Sequence, residues 1–96
     1  MPILFCSLEL YLPDCHSLKE KRRVVQSAVT RLRTKFHCSV SELDHHDYWQ
    51  RSRLGIAVVG NDRVFLNRVA DRIRAESEAV LGGDLVDYWF EILEHS

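Results

Sequence analysis

Ninety-six residues, 46% of them apolar, make one domain, 1–96, large enough to bury its own core, and no Pro- or Gly-rich stretch divides it. A net charge of −1 excludes an evenly basic coat, and three cysteines without a C-x-x-C pair (Cys6, Cys15, Cys38) exclude a disulfide framework and a cysteine zinc motif. Nothing approaches the length of a membrane span, so the composition points to a reduced, cytoplasmic protein with no membrane partner.

The first apolar run, 3–12, carries Glu9, lacks a basic flank and meets Pro13-Asp14, which marks a strand instead of a targeting segment. Its even positions Leu4, Cys6, Leu8, Leu10 and Leu12 share one face, and Ile3, Phe5, Ser7, Glu9 and Tyr11 share the other. Ser17-Leu18-Lys19-Glu20 has the form of a capping box, in which Ser17 bonds the amide near Glu20 and Glu20 reaches back, so a helix starts there. Leu18, Val25, Ala28, Val29, Leu32 and Phe36 then recur at helical spacing. Lys21 projects into the same stripe, where a cation must either extend to water or find a partner.

Residues 38–44 alternate weakly and read as an edge strand, whereas 53–59 is richer in β-branched side chains and reads as a central one. Gly60-Asn61-Asp62 marks a turn and a helix cap. Phe65, Leu66, Val69, Ile73 and Val80 give the second helical stripe, which Gly82-Gly83 stops. The last strand places Val86, Tyr88, Phe90 and Ile92 on its core face and Asp87, Trp89, Glu91 and Leu93 opposite. The order predicts an α+β, ferredoxin-like βαββαβ sandwich: a four-stranded antiparallel sheet with two helices on one face and the other face open.

Charge is unevenly laid out. Over 17–37 there are seven bases, Lys19, Lys21, Arg22, Arg23, Arg31, Arg33 and Lys35, against Glu20 alone, a net +6, while 76–94 holds six acids and no base. Lys19, Arg22, Arg23 and Arg33 share one flank of the helix, and with Lys21 they form the candidate RNA-binding set, since clustered cations supply the phosphate contacts that dominate nucleic-acid affinity. An ordinary solvated helix face would show the same composition. On the open sheet face Phe5, Tyr11 and Trp89 are candidates for a protein interface or homodimer. Glu9, Asp87 and Glu91 beside them would repel phosphate, which argues against base stacking on that face.

The segment Glu42-Leu43-Asp44-His45-His46-Asp47 holds ligand types for zinc or another divalent ion. Adjacent histidines point apart in extended chain, so no metal is expected. The plainer expectation is a hairpin connection whose Asp and His side chains bond local backbone, with Trp49 packing its base and Arg51 pairing a carboxylate. Cys15-His16 sets a nucleophile beside a base, but neighbours in sequence do not make a dyad. No cofactor is expected.

Ser17-Leu18-Lys19-Glu20-Lys21-Arg22-Arg23 and Asp44-His45-His46-Asp47-Tyr48-Trp49-Gln50-Arg51, the latter followed by Leu54-Gly55-Ile56-Ala57-Val58-Val59-Gly60-Asn61-Asp62, resemble the YlxP-like family of small bacterial proteins over nearly the whole chain. The resemblance implies a ferredoxin-like fold and no established catalytic residue. Members are often encoded beside a translation initiation factor and a ribosome-binding factor, which implies a setting in translation or ribosome maturation. Asp44, His45, Trp49, Gln50 and Arg51 carry the second motif, whereas Tyr88 and Trp89 depart from a last strand that is more often aliphatic or charged.

The expected function is therefore that of a non-enzymatic accessory protein contacting RNA through its first helix, with ribosomal RNA or ribosome-associated proteins as partners. A protein-interaction or homodimerisation module using the open sheet face, and a small metal- or anion-dependent enzyme built on 44–51, are the alternatives.

Overall fold

The computed structural model describes residues 1–94. The strands are β1 (Pro2–Tyr11), β2 (Ser39–Asp44), β3 (Arg51–Val59) and β4 (Leu85–Glu94), and the helices are α1 (Leu18–Phe36) and α2 (Arg63–Leu81). All neighbours in the β2-β3-β1-β4 sheet are antiparallel. Leu4, Cys6, Leu8 and Leu10 face the helices and are buried, as strand alternation requires. Val25, Ala28, Val29 and Leu32 of α1 and Leu66, Val69, Ala70 and Ile73 of α2 close over them. Each fully buried leucine of this layer contributes about 1.5 to 3 kcal/mol through water released from apolar surface.

The caps follow from the sequence with one variation. The Ser17 hydroxyl accepts from the Glu20 amide at 3.1 Å, but the Glu20 carboxylate accepts from His16 N–H at 2.6 Å, one residue before the amide that a capping box would use. The Asp62 carboxylate accepts from Val64 N–H at 3.0 Å and starts α2. Gly82, at φ 56 and ψ −132, ends it.

Two core expectations are corrected. Phe65 lies in the first turn of α2 and is exposed, because Leu66 beside it turns inward. Val86 is exposed because the β1–β4 register slips by one: Glu9 faces Asp87 while Leu10 faces Leu85, so Leu85 occupies the inward position. Beyond this bulge Tyr88, Phe90 and Ile92 pack on the core. The Tyr88 hydroxyl donates to the Ala70 carbonyl at 2.7 Å, which ties β4 to α2, and burial pushes its pKa up.

Candidate functional site

The two family motifs meet. Lys21, on the inward face of α1 and only 1% exposed, holds its ammonium 2.9 Å from Glu42 Oε2 on β2 and donates to the His45 carbonyl. The Ser52 hydroxyl of β3 donates to the same Glu42 oxygen at 2.7 Å. Burial raises the Glu42 carboxyl, yet the Ser52 and Lys21 hydrogen bonds and the lysine charge outweigh it and leave the pKa below its ordinary value. Lys21 is thereby corrected as an RNA-binding candidate: it is enclosed, and its charge is matched inside the protein.

A second cluster sits on the open face. Glu9 Oε1 lies 3.0 Å from His45 Nε2 and 3.3 Å from Arg51, and its Oε2 lies 3.3 Å from Arg53 Nε. Register explains the grouping, since Glu9 faces Arg53 and Tyr11 faces Arg51 across β1 and β3. Asp44 Oδ1 accepts from the His45 amide at 2.8 Å, and His45 adopts the left-handed conformation at φ 65. That hydrogen bond first, and the His45 charge next, hold the Asp44 carboxyl below its usual range. The expectation that Glu9 repels phosphate is thereby corrected, since His45, Arg51 and Arg53 surround its carboxylate.

Gln50 anchors the far end of the loop. Its side-chain amide donates to the Pro13 and Cys15 carbonyls at 3.2 and 3.4 Å, and its own carbonyl accepts from Leu12 N–H at 2.8 Å. With His45 and Gln50 turned inward, Tyr48 and Trp49 face solvent, 58% and 51% exposed. Trp49 thus does not pack the base of the loop, because Gln50 holds that position. Tyr11, Tyr48, Trp49 and Arg51 line a concavity of about 370 Å³. The three interface candidates are thereby divided: Tyr11 belongs to the loop end, while Phe5 and Trp89 meet edge-on elsewhere on the sheet, ring centroids 5.8 Å apart.

The basic helix is partly neutralised. Arg31 and Lys35 share Glu76 of α2 at 3.7 and 3.0 Å, whereas Arg33 donates to the Val40 carbonyl at 3.1 Å and keeps its charge. Glu76 is buried, and the Lys35 hydrogen bond outweighs that burial to keep its carboxyl pKa low. Lys19, Arg22 and Arg23 stay exposed, with no carboxylate at ion-pair distance among the described residues. Cys15 is buried, and burial, followed by the Glu20 charge, raises its thiol pKa, while His16 beside it is exposed. Among the described residues no three His, Cys, Asp or Glu side chains gather as a metal site. Among the described residues no helix is long and apolar enough to cross a membrane.

Sequence reasoning missed Ser52 and Arg53, and placed Glu42 among possible metal ligands instead of beside Lys21. The signal for Glu42 was present only as a demand, because a lysine in an apolar stripe needs a partner, and naming the partner takes the sheet register.

The arrangement is that of a ferredoxin-like α+β domain with a motif loop pinned between helix and sheet. The chain belongs to the family described as protein of unknown function DUF503, whose profile matches residues 3–88. It is 41% identical over 71 residues to the uncharacterized protein YlxP of Bacillus subtilis strain 168, covering 74% of this chain and 77% of that one. Among solved structures, Rv0793 from Mycobacterium tuberculosis has 18% identity and a TM-score of 0.53, covering 100% of this chain and 96% of its own. A putative antibiotic biosynthesis monooxygenase from Bordetella bronchiseptica has 14% identity and a TM-score of 0.53, with 100% and 99% covered. A dimeric ferredoxin-like protein of unknown function from Thermobifida fusca has 15% identity and a TM-score of 0.52, with 99% and 92% covered. At these identities the likeness is one of fold.

Proposed function

We propose that this protein is a non-enzymatic accessory factor of translation or ribosome maturation that contacts RNA through the first two turns of α1. The observation that carries the reading is the set Lys19, Arg22 and Arg23, which has no carboxylate at ion-pair distance among the described residues, while Lys21 pairs with Glu42 and Arg31 and Lys35 share Glu76. The partial positive charge of the helix start adds to theirs. Lys21 and Gln50 tether the loop to this end of the molecule, where Trp49 and Tyr48, the latter tilted on the His45 ring, are exposed surfaces for stacking on unpaired bases. The family's genomic setting supports the same direction. A buried Cys15 thiol with a raised pKa is a poor nucleophile, which favours binding over chemistry.

Three phosphate contacts imply a log–log salt slope of about −2 on single-stranded RNA. Fluorescence anisotropy of a labelled oligoribonucleotide against salt measures it. Replacing Arg22 and Arg23 with Ala is expected to flatten the slope toward −1, whereas Lys35→Ala, whose charge is matched by Glu76, leaves it nearly unchanged. Binding that ignores salt, or that survives loss of Lys19, Arg22 and Arg23 together, removes α1 from the explanation.

A further inference from the structure

The open face of the sheet changes character along the strands. Near the loop it is polar, centred on Glu9, Arg51 and Arg53. Toward the other end it is apolar: Ile3 lies between Val59 and Leu93, and Phe5 lies between Ala57 and Glu91. One row further, Ser41, Gly55, Ser7 and Trp89 stand side by side across β2, β3, β1 and β4.

This row carries both a hollow and a projection. Gly55 has no side chain, and Leu43 and Phe5 lean over it so closely that a Cβ there would lie 2.5 Å from Leu43 and 3.2 Å from Phe5. With Ser39, Ser41 and Ala57 they border a concavity of about 200 Å³, comparable in size to one aromatic side chain. Two strands away Trp89 stands 49% exposed, steadied edge-on by Phe5.

We propose that this face is the interface of an isologous homodimer, in which Trp89 of each copy fills the Gly55 concavity of the other. A two-fold axis parallel to the strands, passing between β3 and β1, exchanges β2 with β4 and β3 with β1 while keeping every row at its own height. Trp89 of one copy then lies over Ser41 of the other, against the Leu43 and Phe5 side chains that cover Gly55, and the reciprocal contact forms by symmetry. The sheets pack face to face at the shallow angle that their twist dictates. A second copy is the partner that the surface specifies, because projection and hollow occur in one row at exchangeable positions. Charge is complementary along the centre of the face, where Glu9 of each copy lies over Arg53 of the other; Glu91 is carried over the Ser39 hydroxyl, and Asp87 falls over Asp44, a like-charged contact at the margin. Contiguous exposed apolar surface with a polar margin is the usual mark of such contacts.

Sedimentation velocity over a wide range of protein concentration tests this. The wild type is expected to move from monomer toward dimer, and Trp89→Glu and Ser41→Arg, on opposite edge strands, are each expected to stay monomeric with unchanged far-ultraviolet circular dichroism. In Trp49→Phe, which leaves Trp89 as the one indole, emission should shift to the blue as concentration rises and the ring leaves water. A wild type that is monomeric at every concentration overturns the proposal. So does a dimer that persists in both variants or forms with no change in Trp89 emission, since association would then use another surface.

Discussion

An ammonium as enclosed as that of Lys21 is tolerable because Glu42 supplies the opposite charge and the His45 carbonyl supplies an acceptor. Lys21→Ala would leave the Glu42 carboxylate beside Ser52 without its cation, and a cost of about 3 to 5 kcal/mol is expected, read as a lower urea midpoint. The double variant Lys21→Met, Glu42→Leu should recover most of that loss, because neither charge then has to be desolvated. Acidity reports on the same pair. The Glu42 pKa is lower in the folded protein than its ordinary 4.5, so its stabilisation is present above 4.5 and disappears as pH falls through the lower folded value. Wild type should exceed Glu42→Gln in stability at pH 7 and lose that advantage as pH falls below 4.5 and through the lower folded value, and an advantage that persists in strong acid would show that the carboxylate is not what matters. The need for a partner was legible in sequence from Lys21 alone. Its identity was not, because Glu42 enters only through the pairing of β2 with β3, where Glu42 faces Leu54 and a bulge follows.

Element by element, the periodicities of 2 and 3.6 were enough to read βαββαβ order, the inward face of β1 and the stripe of α1, since each reports directly on which side is buried. They failed where a period is interrupted. Val86 was assigned inward on an unbroken alternation that the β1–β4 bulge shifts by one residue, and Phe65 sits on a first turn before α2 settles on the sheet. In the 44–51 segment the local backbone bonds of Asp44 and His46 and the pairing of Arg51 with a carboxylate were legible, but the partners Glu9, Pro13 and Cys15 were not, because they are distant in sequence. Dependence on these partners makes a prediction. Gln50→Ala removes the side-chain donor to the Pro13 and Cys15 carbonyls while leaving the strands intact. Amide exchange should accelerate within 45–50, with a change in global stability of about 1 kcal/mol or less. Uniform acceleration across β1 and β3 would mean that the loop and sheet unfold as one unit, contrary to this reading.

At the scale of the whole molecule, the net charge of −1 concealed a division that the fold turns into two separate surfaces. Both helices cover one face of the sheet, so Lys19, Arg22 and Arg23 lie on the helix side, whereas Trp89, Leu43 and Gly55 lie on the opposite side. Two copies joined through their sheets would carry both basic clusters outward, each fully accessible. RNA contact and self-association should then be energetically independent, as expected for sites that share no side chain. Trp89→Glu is expected to abolish association while leaving RNA affinity per chain and its salt slope unchanged, and Arg22→Ala with Arg23→Ala is expected to do the reverse. A short oligonucleotide titrated into the dimer should bind once per chain with a single affinity. Coupling between the surfaces would appear as a dependence of one equilibrium on the other by the same factor in both directions. A tenfold loss of RNA affinity in Trp89→Glu, equivalent to about 1.4 kcal/mol at 25 °C, would place both partners on one continuous site around the loop end, with the helix supplying only part of it.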